Sequence, residues 1–369
     1  MEFGICNLEF GDCRLIIGDC CAGRCHVTFI RMRKSKELSI LGVEPHSGIP
    51  GGALTVNCRN FKPGLNSKVL FGDIEAPIHT ASEDKVVVGL PESPKSLGLA
   101  LKVGQTVSEV FPFNLASRLC TDLHPVMNPA IDPGDTSVIT TISGGRGQQV
   151  EQPLIRVTKR GDRIPFHCEI MNPTGLAFSP DGQLYISSRH DGTVLRYTDY
   201  ERLDIVAEDL GIPCGIVFDS KNRLYVGDRT GKIHRIDASG RKEEFAHLEP
   251  SISAYHLAID SKDRLYVTGP TFAMRDAVIR FSKKGVGEPI LEGLARPQGM
   301  AFLPDGDLLI SAGYRGKKGI FRYSPSDGSV RHYITAPILV GLAISGQDVF
   351  LATNSSIYCA QLPGNNKVN

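Results

Sequence analysis

From residue 39 to about residue 103 the apolar residues fall in short runs broken by Gly and Pro. The runs are Ser39-Ile40-Leu41-Gly42-Val43, Leu54-Thr55-Val56-Asn57-Cys58, Val69-Leu70-Phe71, Val86-Val87-Val88 and Leu99-Ala100-Leu101-Lys102-Val103. Period-two alternation over runs this short predicts half-buried strands packed as a sandwich, and their β-branched content suits a pleated surface. Beyond residue 115 a longer period takes over. The clearest unit reads Pro173-Thr174-Gly175-Leu176-Ala177-Phe178, a Pro180-Asp181-Gly182 turn, Leu184-Tyr185-Ile186 and Val194-Leu195-Arg196-Tyr197. Its apolar triplets recur at 129, 176, 216, 257, 300 and 342, in steps of 47, 40, 41, 43 and 42. About forty residues with three visible strands and room for a fourth is the period of a β-propeller blade.

Candidate fourth strands lie between the units, at Ile164-Pro165-Phe166, Asp204-Ile205-Val206, Glu244-Phe245-Ala246, Ile290-Leu291 and His332-Tyr333-Ile334. The last unit has none of its own. Arg118–Leu123 is similar to Ile205–Leu210, so residues 117–122 are expected to pair with 356–361 and close the ring, which removes open sheet edges. The predicted fold class is therefore all-β, an immunoglobulin-like sandwich followed by a six-bladed propeller.

Two resemblances attach to these residues. Glu44-Pro45-His46-Ser47-Gly48-Ile49-Pro50-Gly51-Gly52, Phe61, Val69-Leu70-Phe71-Gly72-Asp73 and Val88-Gly89-Leu90-Pro91 resemble the IPT/TIG immunoglobulin-like domain, which implies a structural or interaction module over residues 39–115. The units over 116–364 resemble NHL repeats and, more broadly, the six-bladed gluconolactonase/senescence-marker propellers. That likeness speaks to fold more than to function.

Charge and cysteine placement narrow the classes. Lys and Arg number 41 against 40 Asp and Glu, a net charge of +1. This argues against nucleic acid or an anionic membrane as the main partner. No apolar run reaches the roughly 18 residues of a membrane-spanning helix, so no membrane insertion is expected. Five of the ten cysteines precede residue 26, three of them at a spacing of seven. Residues 1–38 read as a low-complexity leader; the competing reading makes Cys20, Cys21, Cys25 and His26 a metal site. Charges interrupt any secretory apolar core there. Cys58, Cys120, Cys168, Cys214 and Cys359 are scattered like small buried hydrophobes. That scatter favours a reducing, cytoplasmic setting.

Up-and-down connectivity brings the start of each innermost strand and the loop after each second strand to one face, where a channel ligand would sit. The innermost positions are Met127, Thr174, Cys214, Tyr255, Gln298 and Val340. In the metal-dependent lactonases of the resembling family this ring carries Asn and Asp, with a Glu from the first blade. None of the six is Asp, Glu or Asn here, whereas a hard divalent cation needs several oxygen ligands. No cofactor is therefore expected. His256 is the one neighbour suited to a softer metal, against a hydrogen-bonded structural role.

The loop set holds Arg146, Arg189, Arg229 and Arg315, each followed closely by Gly, with His190, Asp228, Tyr314 and Asn354 alongside. Guanidiniums at equivalent ring positions suit a carboxylate, sugar acid or phosphate; alternatively each pairs with an acid such as Asp191 or Asp228 and holds its own loop. A third set, Arg156, Arg196, Arg235, Arg280 and Arg322, recurs in the third strand and is expected to bridge adjacent blades. No nucleophile elbow, phosphate loop or His-Glu-x-x-His helix is present, and no catalytic residue is assigned. The expected function is a non-catalytic binding protein whose propeller face takes a small anionic molecule or a protein. The alternative is a gluconolactonase-like hydrolase or a lyase acting on a lactone or sugar acid, with an unusual metal site near Tyr255 and His256.

Overall fold

The structure is a computed structural model that describes the backbone of residues 7–10, 13–17 and 27–31, and residues 37–92, 98–144, 148–166, 168–198 and 202–362 in full. The first three segments form an antiparallel three-stranded sheet. Cys20, Cys21, Cys25 and His26 lie outside the described residues.

The alternating runs of the first unit become two sheets. One is built from Ser39–Glu44, Ala53–Arg59, Lys85–Gly89 and Ile78–Ala81; the other centres on Gly98–Val103 and Ser67–Phe71. Every second side chain faces inward, so Leu54, Val56 and Cys58 of one sheet share a core with Val69, Phe71, Leu99 and Leu101 of the other. Burial of such side chains is worth about 1.5–3 kcal/mol each.

Beyond residue 115 the chain is a β-propeller of four-stranded antiparallel sheets, here lettered in chain order. Sheet A runs from Ala130–Ile131 to Arg163–Phe166, B from Pro173–Phe178 to Leu203–Ala207 and C from Pro213–Phe218 to Lys242–His247. D runs from His256–Ile259 to Gly287–Leu294, and E from Met300–Phe302 to Val330–Thr335. In F, Gly341–Ser345, Asp348–Ala352 and Ile357–Gln361 are completed by Ser117–Cys120 from before sheet A. Ser117 pairs with Cys359, Arg118 with Tyr358 and Cys120 with Ile357. This is the closure expected from the sequence. All five anticipated fourth strands form. Each innermost strand lies against the innermost strand of the next sheet, and those of F and A meet, so the sheets surround one axis.

The interfaces between sheets are largely aromatic and aliphatic. Tyr185 of B meets Phe218 of C edge to face at 4.7 Å, and Tyr266 of D meets Phe302 of E at 4.9 Å. Such pairs add about 0.5–1.5 kcal/mol to simple burial.

The third-strand arginines do something other than bridge neighbours. Arg196, Arg235 and Arg280 reach acids on the fourth strand of their own sheets, Asp204, Glu243 and Glu288. Arg156 and Arg322 reach acids of the first turn of theirs, Asp132 with Asp135, and Asp305 with Asp307. Each guanidinium therefore ties its own sheet together. For three of them the reason is register: Arg196, Arg235 and Arg280 stand directly opposite Asp204, Glu243 and Glu288 in the ladder.

The two units are joined by backbone pairing. Gly48 pairs parallel with Thr335 on the outer edge of sheet E, and Asn114–Leu115 pairs parallel with Ser47–Gly48. Thr335 Oγ1 donates to the Ala53 carbonyl at 2.6 Å, and Ile49 is fully buried in a core shared with sheets E and F. A Cβ at Gly52 would stand 2.8 Å from the Thr335 carbonyl carbon, so only glycine permits this approach.

Candidate functional site

One mouth of the axis opens into a cavity of about 230 Å³. Its walls are Thr174, Arg189, Ile212, Arg229, Ser253, Gln298, Val340 and Asn354, with His124, Pro125 and Val126 from the segment leading into sheet A. Cys214 and Ala254, packed with Met127, form an apolar plug beneath. Thr174, Cys214, Gln298 and Val340 come from the expected innermost ring, and Arg189, Arg229 and Asn354 from the expected loop set.

Register explains which loop residues reach the mouth. Tyr185 pairs with Arg196 in B, Tyr225 with Arg235 in C, Tyr266 with Arg280 in D, Leu309 with Arg322 in E and Ile139 with Arg156 in A. Counted from these pairs, the position occupied by Arg189 and Arg229 is Ser143 in A, Pro270 in D and Gly313 in E. The Ile344–Val349 pair of F matches Phe178–Leu184 of B, which puts Asn354 there.

Arg315 is therefore two residues too far along to reach the mouth. The second strand of E is longer, Leu308–Tyr314, and Arg315 and Gly316 form the tip of its hairpin at φ of 47° and 78°. Its guanidinium lies over the Tyr314 ring, 5.1 Å from the centroid, and Tyr314 packs edge to face on Phe321. Neither lines the mouth. Arg146 lies outside the described residues. The expected four-guanidinium ring thus contains a mouth pair, Arg189 and Arg229, in adjacent sheets.

Neither arginine of the pair forms an ion pair among the described residues. Arg189 donates from Nη2 to Ser143 Oγ at 3.4 Å. Arg229 donates from Nε and Nη2 to the carbonyls of Ser251 and Ile252, each at 3.2 Å. The acids nearest in sequence are committed elsewhere. Asp228 is buried and accepts from the amides of Ile212 at 2.9 Å and Thr230 at 3.0 Å, and from the Thr230 hydroxyl. Asp191 accepts from Ser188 Oγ at 2.7 Å and His190 Nδ1 at 2.8 Å. Burial pushes the Asp191 carboxyl up, but these two bonds outweigh it and hold it below its ordinary value. Asp228, Asp191 and His190 shape the loops without facing the cavity.

Tyr255 and His256 belong to the wall behind it. The Tyr255 hydroxyl donates to the Glu249 carbonyl, and burial, with Glu249 and Asp276 nearby, pushes its pKa up to about 12. His256 is completely buried and Nδ1 has no partner; burial pulls its pKa down to about 3. Cys214 is raised to about 12, first by burial and then by Asp228, against the lowering effect of Arg189 and Arg229. It is a thiol at neutral pH and a poor nucleophile. Among the described residues no three His, Cys, Asp or Glu side chains converge as a metal site. Gln298 is buried at the mouth, and its Oε1 is enclosed without a hydrogen-bond partner.

The residues that sequence reasoning passed over are His124 and Ser253. His124 Nδ1 donates to the Ser143 carbonyl, which sets the ring beside Arg189's partner. No repeat position announces either residue, because both lie in irregular segments before an innermost strand.

No protein-family model matches this chain, and no curated protein matches it. Solved structures do resemble it. A gluconolactonase from Xanthomonas campestris aligns with a TM-score of 0.55 at 14% identity, covering 67% of this chain and 88% of its own. A structural-genomics protein assigned as a gluconolactonase gives 0.55 at 16%, covering 67% and 91%. A protein of unknown function from Bacteroides thetaiotaomicron gives 0.50 at 14%, covering 89% and 99%. At these identities the likeness establishes the propeller fold and carries no activity across.

Proposed function

We propose that this protein binds a small anionic molecule at the channel mouth without transforming it, on a six-bladed NHL-like propeller (residues 116–364) preceded by an IPT/TIG-like immunoglobulin sandwich (39–115). One observation carries the reading: Arg189 and Arg229 both face a cavity whose described lining has no carboxylate, and neither has an acidic partner. Two unneutralised guanidiniums on a partly dry wall favour an anion, and each charge-assisted bond is worth about 1.5–3 kcal/mol. Asn354, Thr174 and Ser253 add neutral hydrogen-bonding groups at the mouth.

Calorimetric titration with small carboxylates, gluconate among them, tests this. Binding is expected in the native protein and at least tenfold weaker in an Arg189→Met/Arg229→Met variant. Unchanged affinity in the double variant removes the proposal. The second reading, a hydrolase or lyase acting on a lactone or sugar acid, is supported by the gluconolactonase folds alone. It predicts opening of glucono-δ-lactone by the purified protein above the spontaneous rate, with inhibition by a chelator.

A further inference from the structure

The mouth continues past Arg229. On the outer side of that guanidinium lies a groove of about 370 Å³ lined by Ile212, Thr230, Pro250, Ser251, Ile252 and Phe272, so that Ile212 and Arg229 belong to both spaces. The groove is an apolar surface left open to water: Phe272 is 86% exposed, Ile252 38% and Ile212 37%. Its hydrophobic residues stand on held backbone. Thr271 donates from N and Oγ1 to Asp276 at 2.9 and 2.8 Å, and the Ile252 amide donates to the Pro270 carbonyl at 2.9 Å.

The polar side chains of the groove are already committed within the protein. Ser251 Oγ donates to the Pro270 carbonyl at 2.8 Å, and Thr230 Oγ1 donates to Asp228. A polyhydroxylated ligand would find apolar contact there and few hydrogen-bonding groups, whereas a hydrocarbon chain would gain from every methylene that leaves water. A contiguous apolar patch beside unpaired cations is matched by a molecule with one anionic end and one apolar end.

We propose that the ligand is an amphipathic monocarboxylic acid, its carboxylate held by Arg189 and Arg229 and its hydrocarbon chain laid over Ile212 and Ile252 to Phe272. This rests on the anion-binding reading and narrows its ligand class away from sugar acids.

The test is a calorimetric series on the full chain with acetate, butyrate, hexanoate, octanoate and gluconate, with light scattering on the same samples. Affinity is expected to rise about twofold per methylene from butyrate to octanoate, as when about half of each CH2 leaves water. Octanoate is expected to bind more tightly than gluconate. An Ile252→Ser/Phe272→Ser variant flattens the series, weakening octanoate far more than acetate; Arg189→Met/Arg229→Met weakens all members together. Gluconate binding with a flat chain-length series overturns this inference and leaves the anion reading standing. Binding by none of the five acids overturns both. A concentration-dependent dimer abolished by Phe272→Ser, with no chain-length effect, overturns it in favour of a second copy of this chain on the groove.

Discussion

The propeller carries arginines in two settings that the sequence renders alike. On the third strands, Arg156, Arg196, Arg235, Arg280 and Arg322 each have an acid within their own sheet. At the channel mouth, Arg189 and Arg229 have hydroxyl and carbonyl acceptors and no acid among the described residues. A guanidinium that is neutralised by its own fold has nothing left for a ligand, while one that is not keeps a standing preference for anions. The neighbouring acids Asp191 and Asp228 show how the mouth stays unneutralised. Both spend their oxygens on loop donors, so neither carboxylate makes a contact ion pair with a mouth guanidinium.

Removing one member from each set sharpens the difference most. Arg322 is 16% exposed and grips Asp305 and Asp307 at 2.6 Å each, and Asp307 is itself only 18% exposed. Arg322→Met leaves a half-dry carboxylate without its cation, and the expected loss of stability in urea unfolding is about 2–3 kcal/mol. Arg189→Met and Arg229→Met strand no acid, and their expected loss is under about 0.5 kcal/mol. Equal losses in the two sets would end the distinction between them.

Acid probes a related contrast, since His256 Nδ1 has no hydrogen-bond partner and the ring sits in a dry wall. Its folded pKa is pulled down to about 3 by burial, against an ordinary value near 6.5. The unfolded chain therefore binds the proton first. The stability this contributes is complete above about pH 6.5 and is lost as pH falls toward 3, amounting to about 2 kcal/mol by pH 5. A His256→Gln variant is expected to show a correspondingly flatter decline between pH 6.5 and 5. His332, lowered to about 4 by burial, and His234, also lowered by burial, contribute to the slope that remains. If native and variant proteins lose stability in parallel, His256 is not the dry, neutral group the packing makes it.

The sequence was most readable where structure is local or set by the repeat. Strands such as Leu224–Asp228 and Val330–Thr335, and the closing pair of 117–120 with 357–359, follow from alternation and repeat length. It was misleading where one sheet departs from the repeat. Two extra residues in Leu308–Tyr314 carry Arg315 from the mouth to a hairpin tip, although, like the other loop arginines, it is followed by Gly within three residues. It was silent where a distant contact falls outside the repeat. Nothing local in Ser47-Gly48 announces a parallel partner almost 290 residues away at Thr335, and the glycines at 48 and 52 read only as turn residues until that close approach is known. The arginine partners fall between these cases. Acids lie close in sequence to both sets, and only ladder register decides which of them face the guanidinium.

The smallest effect separates pairing from burial as the source of the outer arginines' value. Arg280 and Glu288 make a close pair, with Nε to Oε1 at 2.7 Å, but their side chains are 31% and 58% exposed. Water solvates both charges in the folded and unfolded states, so Coulomb attraction is screened and the ordering of two long side chains offsets much of what remains. Arg280→Met is therefore expected to cost under about 1 kcal/mol, and raising the salt from 0.05 to 0.5 M should erase most of that difference. Arg322→Met should keep most of its larger penalty over the same range, because Asp307, unlike the half-exposed Asp305, is largely shielded from ions by the sheet. A penalty for Arg280→Met that matched Arg322→Met and ignored salt would mean that the third-strand pair itself, irrespective of exposure, holds each sheet together. The mouth arginines would then differ from the outer ones in kind, not only in the dryness of their surroundings.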